Sequence, residues 1–389
     1  MSATAGLKKT TITIRPQRRW LFTAGIGVAG LPLAAAALFF ALDGAVWAAL
    51  IPFVFFYIAV PILDAMIGED HSNPSEEDLE TLEADRFYDY VMYAIIPFLM
   101  LSFFAVMAML VLGDLPVWAK VFVIYAGGVG GGQAIILAHE LGHRRDNTSR
   151  NLAKVALGIV GYGHFCIEHN RGHHVRVATP EDSSSARMNE TVYAFAVRDI
   201  AGSFTGAWRT EAKRLKNKKL PLFSHHNEIL QSYAVTVILA TLAVAWLGVA
   251  VLPWLVLHHA LSFFALSMVN YIEHYGLKRQ KLPNGRYEPC QPKHSWNTNH
   301  TVSNMLEINL QRHSDHHANP MRPYQCLRNF SELPRLPSGY PGCMSMSLFP
   351  PLWFAVMNPK VRAWAEGDDS KLNWGPEPTP QTDGALAAS

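Results

Sequence analysis

VWAKVFVIYAGGVGGGQAIILAHELGHRRD, residues 117–146, carries two signals in one run. Its first part, 117–138, holds a single charged residue, Lys120, and is long enough as a helix to cross a bilayer core, which takes about 20 apolar residues. Its end, His139-Glu140-Leu-Gly-His143, sets two imidazoles four residues apart, on one face of a helix. An apolar crossing that terminates in paired histidines predicts a metal site at a membrane boundary.

Working outward, the stretches 20–42, 45–67, 90–112, 229–250 and 251–271 are also apolar and long enough to cross. Half of the 389 residues are hydrophobic and only 16% are charged, a balance that suits a membrane chain better than two or three soluble domains. The predicted fold is an all-α integral membrane protein. Residues 20–365 form one domain of six transmembrane helices, with a histidine-rich cap at about 139–228 and 272–365. Lys8, Lys9, Arg15, Arg18 and Arg19 precede the first crossing and place segment 1–19 in the cytoplasm by the positive-inside rule. The basic stretch 144–219 then falls on the same side, and both termini are expected there. A secretory signal peptide, with 34–37 as a small-residue cleavage site, competes for the first apolar stretch. That stretch exceeds the roughly 7 to 15 residues of a signal core.

Two more clusters lie on the same side: Glu168-His169-Asn-Arg-Gly-His173-His174 and Arg-His313-Ser-Asp315-His316-His317. With His274 they bring the clustered histidines to nine of the chain's 17. Neutral imidazole suits iron, zinc, copper and nickel, and one zinc is satisfied by about four ligands, so nine candidates predict two metal ions. Glu140, Glu168, Glu273 and Asp315 adjoin the histidines. A neighbour on a helix points about 100° away, so each is expected to orient a histidine of another cluster, with a ligating role left open. His139-Glu140-x-x-His143 also fits the zinc-protease pattern in which the glutamate is the base. That reading needs one further ligand and leaves six histidines unexplained. His258 and His259 lie within the last crossing without spaced partners and read as packing residues. His164, His225, His226, His294 and His300 read likewise. Cys166, Cys290, Cys326 and Cys343 form no C-x-x-C pair, so an iron–sulfur electron donor must be another chain.

Among the connections, 68–86 is acidic and reads as a solvated loop, and the Pro-, Thr- and Ala-rich segment 366–389 is expected to be a flexible tail or linker. The apolar stretch 155–167 is too short to cross and predicts a re-entrant or interfacial helix that returns His169, His173 and His174 beneath the bundle. The basic run 209–219 has two compatible readings, a surface beside anionic lipid and a docking site for an acidic electron carrier. Arg171, Arg176, Lys213, Arg214 and Lys216 are the docking candidates. Gly127, Gly128, Gly130, Gly131 and Gly132 lack the lysine and strand of a phosphate loop and predict close helix packing.

HELGHRRD (139–146), GYGHFCIEHNRGHH (161–174), NYIEHYGL (270–277) and LQRHSDHH (310–317) resemble the membrane-bound non-haem di-iron alkane 1-monooxygenases, the alkane omega-hydroxylases, within the membrane fatty acid desaturase and hydroxylase superfamily. The resemblance runs from about 61 to 359. It implies terminal hydroxylation of medium-chain n-alkanes with O2 as co-substrate. Two irons would be held by His139, His143, His169, His173, His174, His274, His313, His316 and His317. It implies electrons from rubredoxin, refilled by an NADH-dependent reductase, in a bacterial inner membrane, and no nucleic-acid partner. An acyl-lipid desaturase is the alternative, although desaturases usually carry H-x-x-H-H in the second cluster.

An alkane offers no acid, base or polar handle, so its oxidation is a task for a metal. Burial contributes about 0.8 kcal/mol per CH2 without favouring either end, so a narrow channel must select the terminal methyl. Phe53, Phe55, Phe56 and Tyr57 are the candidates for closing its far end.

Overall fold

The computed structural model describes residues 16–376, with no side chain described before residue 19. Lys8, Lys9 and Arg15, which set the expected orientation of the first crossing, lie outside the described residues. Among the described residues no β-strand forms, and bridges such as Leu277 with Leu372 are isolated.

Five helices are long and apolar enough to cross a membrane. They are α1 (Arg19–Ala41), then, after two shorter helices, α4 (Phe87–Leu112), α5 (Val117–Gly142), and later α9 (Glu228–Leu247) and α10 (Val249–His274). The sixth expected crossing, 45–67, is broken: after a short turn Val46–Ala49 the chain continues as α2 (Ile51–Ile67), whose middle Phe55–Ala59 widens to a π turn. A count of six spans therefore does not follow from helix length. Side chains such as Val237, Ile238, Leu242 and Trp246 of α9 and Val256 of α10 are exposed, as lipid contact requires. On the inner side, α4 buries Val91, Met92, Ile95, Ile96, Leu99 and Phe103.

Glycines bring the helices close. A Cβ at Gly128 would lie 2.5 Å from Leu261 Cβ of α10, and one at Gly127 would lie 2.8 Å from Val106 of α4. Small residues permit such approach where no hydrophobic effect separates lipid from protein.

The cap differs from expectation in three places. The apolar stretch 155–167 is not one helix: α6 (Asn147–Val160) ends at Gly161, whose φ of +70° ends the helix in a left-handed residue, and a new helical segment, α7 (165–176), begins after the turn. The acidic loop 68–86 contains α3 (Glu76–Ala84), capped by Ser75, and it is tied to the cap through Arg328 to Glu76 at 2.8 Å and Asn73 to the Asn329 carbonyl at 2.7 Å. The segment expected to be free from 366 onward folds back: Leu372 is buried, and the Asn373 N–H donates to the Gly276 carbonyl at 3.0 Å. The rest of that segment, 377–389, lies outside the described residues.

The remaining cap helices are α8 (Val192–Asn217), α11 (Thr301–Leu306), α12 (His313–Ala318), α13 (Tyr340–Ser347) and α14 (Pro350–Trp364). Asp64, buried near the end of α2, accepts the first N–H groups of α11 from Val302 at 3.1 Å and Ser303 at 3.0 Å. The second crossing region thus holds the loop that leads into the third histidine cluster.

Candidate metal centre

Four elements bring the nine clustered histidines together. The end of α5 presents His139 and His143, and α7 presents His169, His173 and His174. The end of α10 presents His274, and α12 presents His313, His316 and His317. The central part of α7, His169–His173, is a π turn. Its extra residue per turn separates the three side chains. His169 and His174 join His139, His143 and His316 in one group, while His173 joins His274, His313 and His317 in another.

Ring nitrogens converge within each group. His174 Nε2 lies 2.9 Å from His169 Nε2 and 3.2 Å from His316 Nε2; His313 Nε2 lies 3.3 Å from His274 Nε2 and 2.8 Å from His317 Nε2. In a neutral ring each nitrogen carries either one proton or one lone pair, so neither His174 Nε2 nor His313 Nε2 can make hydrogen bonds to two partners at once. Metal–nitrogen bonds of about 2.0–2.1 Å place adjacent ligands about 3 Å apart, which is the spacing seen. His139, His143 and His173 also carry buried Nε2 atoms without a hydrogen-bond partner. Burial drives the imidazoles of His169, His174, His313, His316 and His317 well below their usual protonation range, and that of His143 down to about 4. Neutral, convergent and unpartnered nitrogens fit two metal ions.

The four neighbouring carboxylates divide. Glu140 forms an ion pair with Arg144 at 2.9 Å and accepts from the Tyr324 N–H at 3.2 Å, so it fastens the loop beyond the third cluster and is engaged away from the role of a protease base. Asp315 accepts from Arg322 at 2.6 Å, Asn319 at 2.9 Å and the Arg328 N–H at 2.8 Å, shaping that same loop. Glu168 pairs with Arg176 and is wedged between Gly172 and Gly206, where any Cβ would collide with it; burial pushes its carboxyl up to about 7. Glu273 alone reaches the centre: one oxygen is 3.2 Å from His313 Nε2 and the other accepts from Tyr340 at 2.7 Å.

Two partners escaped the sequence reading. His173 Nδ1 lies 2.9 Å from Asp182 Oδ2, and donation there leaves Nε2 free to ligate. Burial works to raise the Asp182 carboxyl, but His173 and Ser185 outweigh it and leave it below its ordinary value. Glu307, bonded to Gln311 at 2.6 Å, is pushed up to about 8 by burial. Neither residue is next to a clustered histidine in sequence, so no local pattern marks it.

A cavity of about 130 Å³ opens on His139, His169 and His313. Its walls toward the bundle are apolar, including Val60, Val129, Ile136 and Leu266, and Glu273 and Glu307 stand at its polar end. Of the four side chains expected to close the channel, Phe56 and Tyr57 line this cavity. Phe53 instead packs on Tyr57, Phe122 and Tyr125, and Phe55 packs edge-on against Phe56. Beyond Phe56 lies a smaller space of about 30 Å³ that shares Val28, Phe56, Gly130 and Gln133 with the first. Gly130 and Gly132 line the larger cavity. Among the proposed docking residues, Arg171, Lys213 and Lys216 are exposed, whereas Arg176 is paired with Glu168 and Arg214 with Glu211 at 2.5 Å.

An apolar bundle whose inner ends carry nine convergent imidazoles defines an integral membrane enzyme with a histidine-ligated non-haem metal centre. In agreement, the fatty acid desaturase family model matches residues 116–345. The alkane 1-monooxygenase of Pseudomonas putida is 45% identical over 336 residues, covering 86% of this chain and 81% of that one. Alkane 1-monooxygenase 1 of Alcanivorax borkumensis is 43% identical over 331 residues, covering 85% and 82%. The hydroxylase component of the xylene/toluene monooxygenase of Pseudomonas putida is 32% identical over 232 residues, covering 59% and 60%. The chain belongs to the alkane 1-monooxygenase family.

Proposed function

We propose that this chain inserts one oxygen atom of O2 into the terminal C–H bond of a medium-chain n-alkane, giving the 1-alkanol and water and consuming two electrons and two protons. The observation that carries this reading is the apolar cavity lined by His139 and His169 of one histidine group and His313 of the other.

The nine histidines would hold two irons, five imidazoles on one and four on the other, and the metals would supply O2 activation and the oxidising power that an unactivated C–H bond demands. Everything else falls to the chain. Val60, Val129, Ile136 and Leu266 hold the hydrocarbon by burial and exclude water, and Phe56 and Tyr57 stop its far end. His139, His169 and His313 form the floor on which a terminal methyl arrives. Asp182 holds the His173 ring through Nδ1. Glu273, tied to Tyr340, offers an oxygen on the four-histidine side. Glu307, with its carboxyl near 8, keeps a proton at neutral pH beside the cavity, where the reaction consumes protons.

Electrons would come from rubredoxin, itself reduced by an NADH-dependent reductase. The metal-bearing face and both termini would lie in the cytoplasm, with the spans in a bacterial inner membrane. The first test is elemental analysis of the detergent-purified protein, followed by octane turnover with reduced rubredoxin. Near two irons per chain and 1-octanol as product are expected. An alkenyl product from an acyl lipid, with no alkanol from octane, would replace the reading by desaturation. One zinc and no iron in protein never exposed to chelator would overturn it.

A further inference from the structure

Seven of the nine clustered histidines are buried, and the two that are not, His143 and His174, belong to the five-histidine group. His174 is also the bridge between groups: its ring centroid lies 4.8 Å from that of His143 and 4.5 Å from that of His317 in the other set. The residue after it, Val175, exposes 64% of its surface although it is apolar and its carbonyl is fixed by Arg279 at 3.0 Å. An exposed valine on a rigid segment, one residue from a ligand, is a short path from solvent to the centre.

The charges around it are asymmetric. Arg145 follows the end of α5, and Arg171 lies in the π turn; both are exposed. The π turn is tied to the end of α5 by Asn170, which donates to the Gly142 carbonyl at 3.0 Å, so these two arginines flank the same junction. Elsewhere in the cap, α3 exposes Glu76, Glu77, Glu80 and Glu83, and would repel an acidic partner that drifted there. The basic run of α8 is a weaker candidate. Arg214 is engaged by Glu211 and the His226 carbonyl. Lys213 lies seven residues beyond Gly206, where α8 meets Glu168, and so about 10 Å further along the axis.

We propose that a small acidic one-electron carrier docks over Val175, with Arg145 and Arg171 on its rim, and delivers electrons through His174. This rests on the rubredoxin reading above and specifies where that carrier sits. Each encounter would oxidise the carrier by one electron, which would pass to the metal that His139, His143, His169, His174 and His316 would hold, so two encounters would supply the two electrons of a turnover.

The test is binding of zinc-substituted rubredoxin, which docks without transferring electrons, to the iron-loaded protein in detergent, with iron content measured for each variant. Val175→Glu, and separately the pair Arg145→Glu with Arg171→Glu, should each raise Kd about tenfold or more, whereas Lys213→Glu with Lys216→Glu should raise it less than about twofold. The charge-reversed arginine pair decides the matter should Val175→Glu lose iron. Unchanged Kd in the arginine pair, or a larger effect from the lysine pair, would overturn the proposed surface while leaving rubredoxin as the donor. No binding by the unaltered protein would overturn the donor reading and this surface with it.

Discussion

Helix α4 in the bundle buries Met92, Ile95, Ile96 and Phe103, and meets α1 through the Ser102 hydroxyl, which donates to the Ala29 carbonyl at 2.5 Å. Helix α8 in the cap, of similar length, buries Asp199 and Glu211 completely. Asp199 accepts from Ser184 at 2.7 Å, Ser267 at 2.8 Å and Asn270 at 3.2 Å, joining α8 to α10 directly behind the histidines. The bundle is cohesive because methyl groups fit and tolerates conservative exchange. The cap is cohesive only while buried charges and ring nitrogens keep their partners, and a low-dielectric interior makes each lost partner costly.

That contrast can be broken most directly at Asp199. Asp199→Ala strands several buried donors at about 1–3 kcal/mol each, and should cost about 3 kcal/mol or more, against about 0.5–1.5 kcal/mol for Ile95→Val in the bundle. Thermal unfolding in detergent compares the two, and equal losses would remove the distinction. Stripping the metals is the next largest perturbation. Amide exchange in 165–176 and 313–318 should accelerate about a hundredfold where metal had stood at about a hundred times its Kd, while 87–112 stays protected. Uniform exchange would mean that the cap holds without its metals.

Smaller effects sharpen the picture. Asp182→Asn should weaken metal binding by about 10- to 100-fold in the four-histidine group alone, read as one high-affinity and one weakened equivalent in an iron titration. Phe56→Ala joins the two cavities and should lengthen the longest alkane oxidised with iron content unchanged, whereas Phe53→Ala, packed behind Tyr57, should not. An unaltered product range in Phe56→Ala and Tyr57→Ala would remove the idea of a closed far end. The mildest prediction is a rise of about threefold in the apparent KM for rubredoxin as salt is raised, because exposed charges such as Arg145 and Arg171 are screened. A flat salt dependence would argue for apolar docking.

The bundle was legible because hydropathy is a local signal summed over about 20 residues, and helices such as Phe87–Leu112 obey it. At 45–67 it gave no warning that Pro52 and the π turn at Phe55–Ala59 shape the helix, since neither changes the hydropathy, and the apolar helix there runs only over Ile51–Ile67. In the cap, spacing marked the nine histidines, since i, i+3 and i+4 share a face. Their division into five and four was not legible, because a π turn in α7 overrides α-helical spacing and sends His173 away from His169. Asp182, Asp199 and Glu307 stayed hidden for a related reason. Each acts on residues far along the chain or around a turn, as Asp199 does on Ser267 and Asn270, and a lone buried carboxylate has no sequence signature.

The two π turns, His169–His173 at the metals and Phe55–Ala59 at the cavity wall, share a further consequence. A π turn holds one more residue than the α turn it replaces, so the two differ by a single codon. Removing one residue from 169–173 would rotate every later side chain of α7 by about 100° and aim His173 and His174 elsewhere. The corresponding deletion in 55–59 would turn Val60 away from the cavity. Both the paired metal geometry and the shape of the hydrocarbon pocket therefore stand one codon from a regular helix, so single-residue deletion scanning should find these segments far less tolerant than the uninterrupted spans between them.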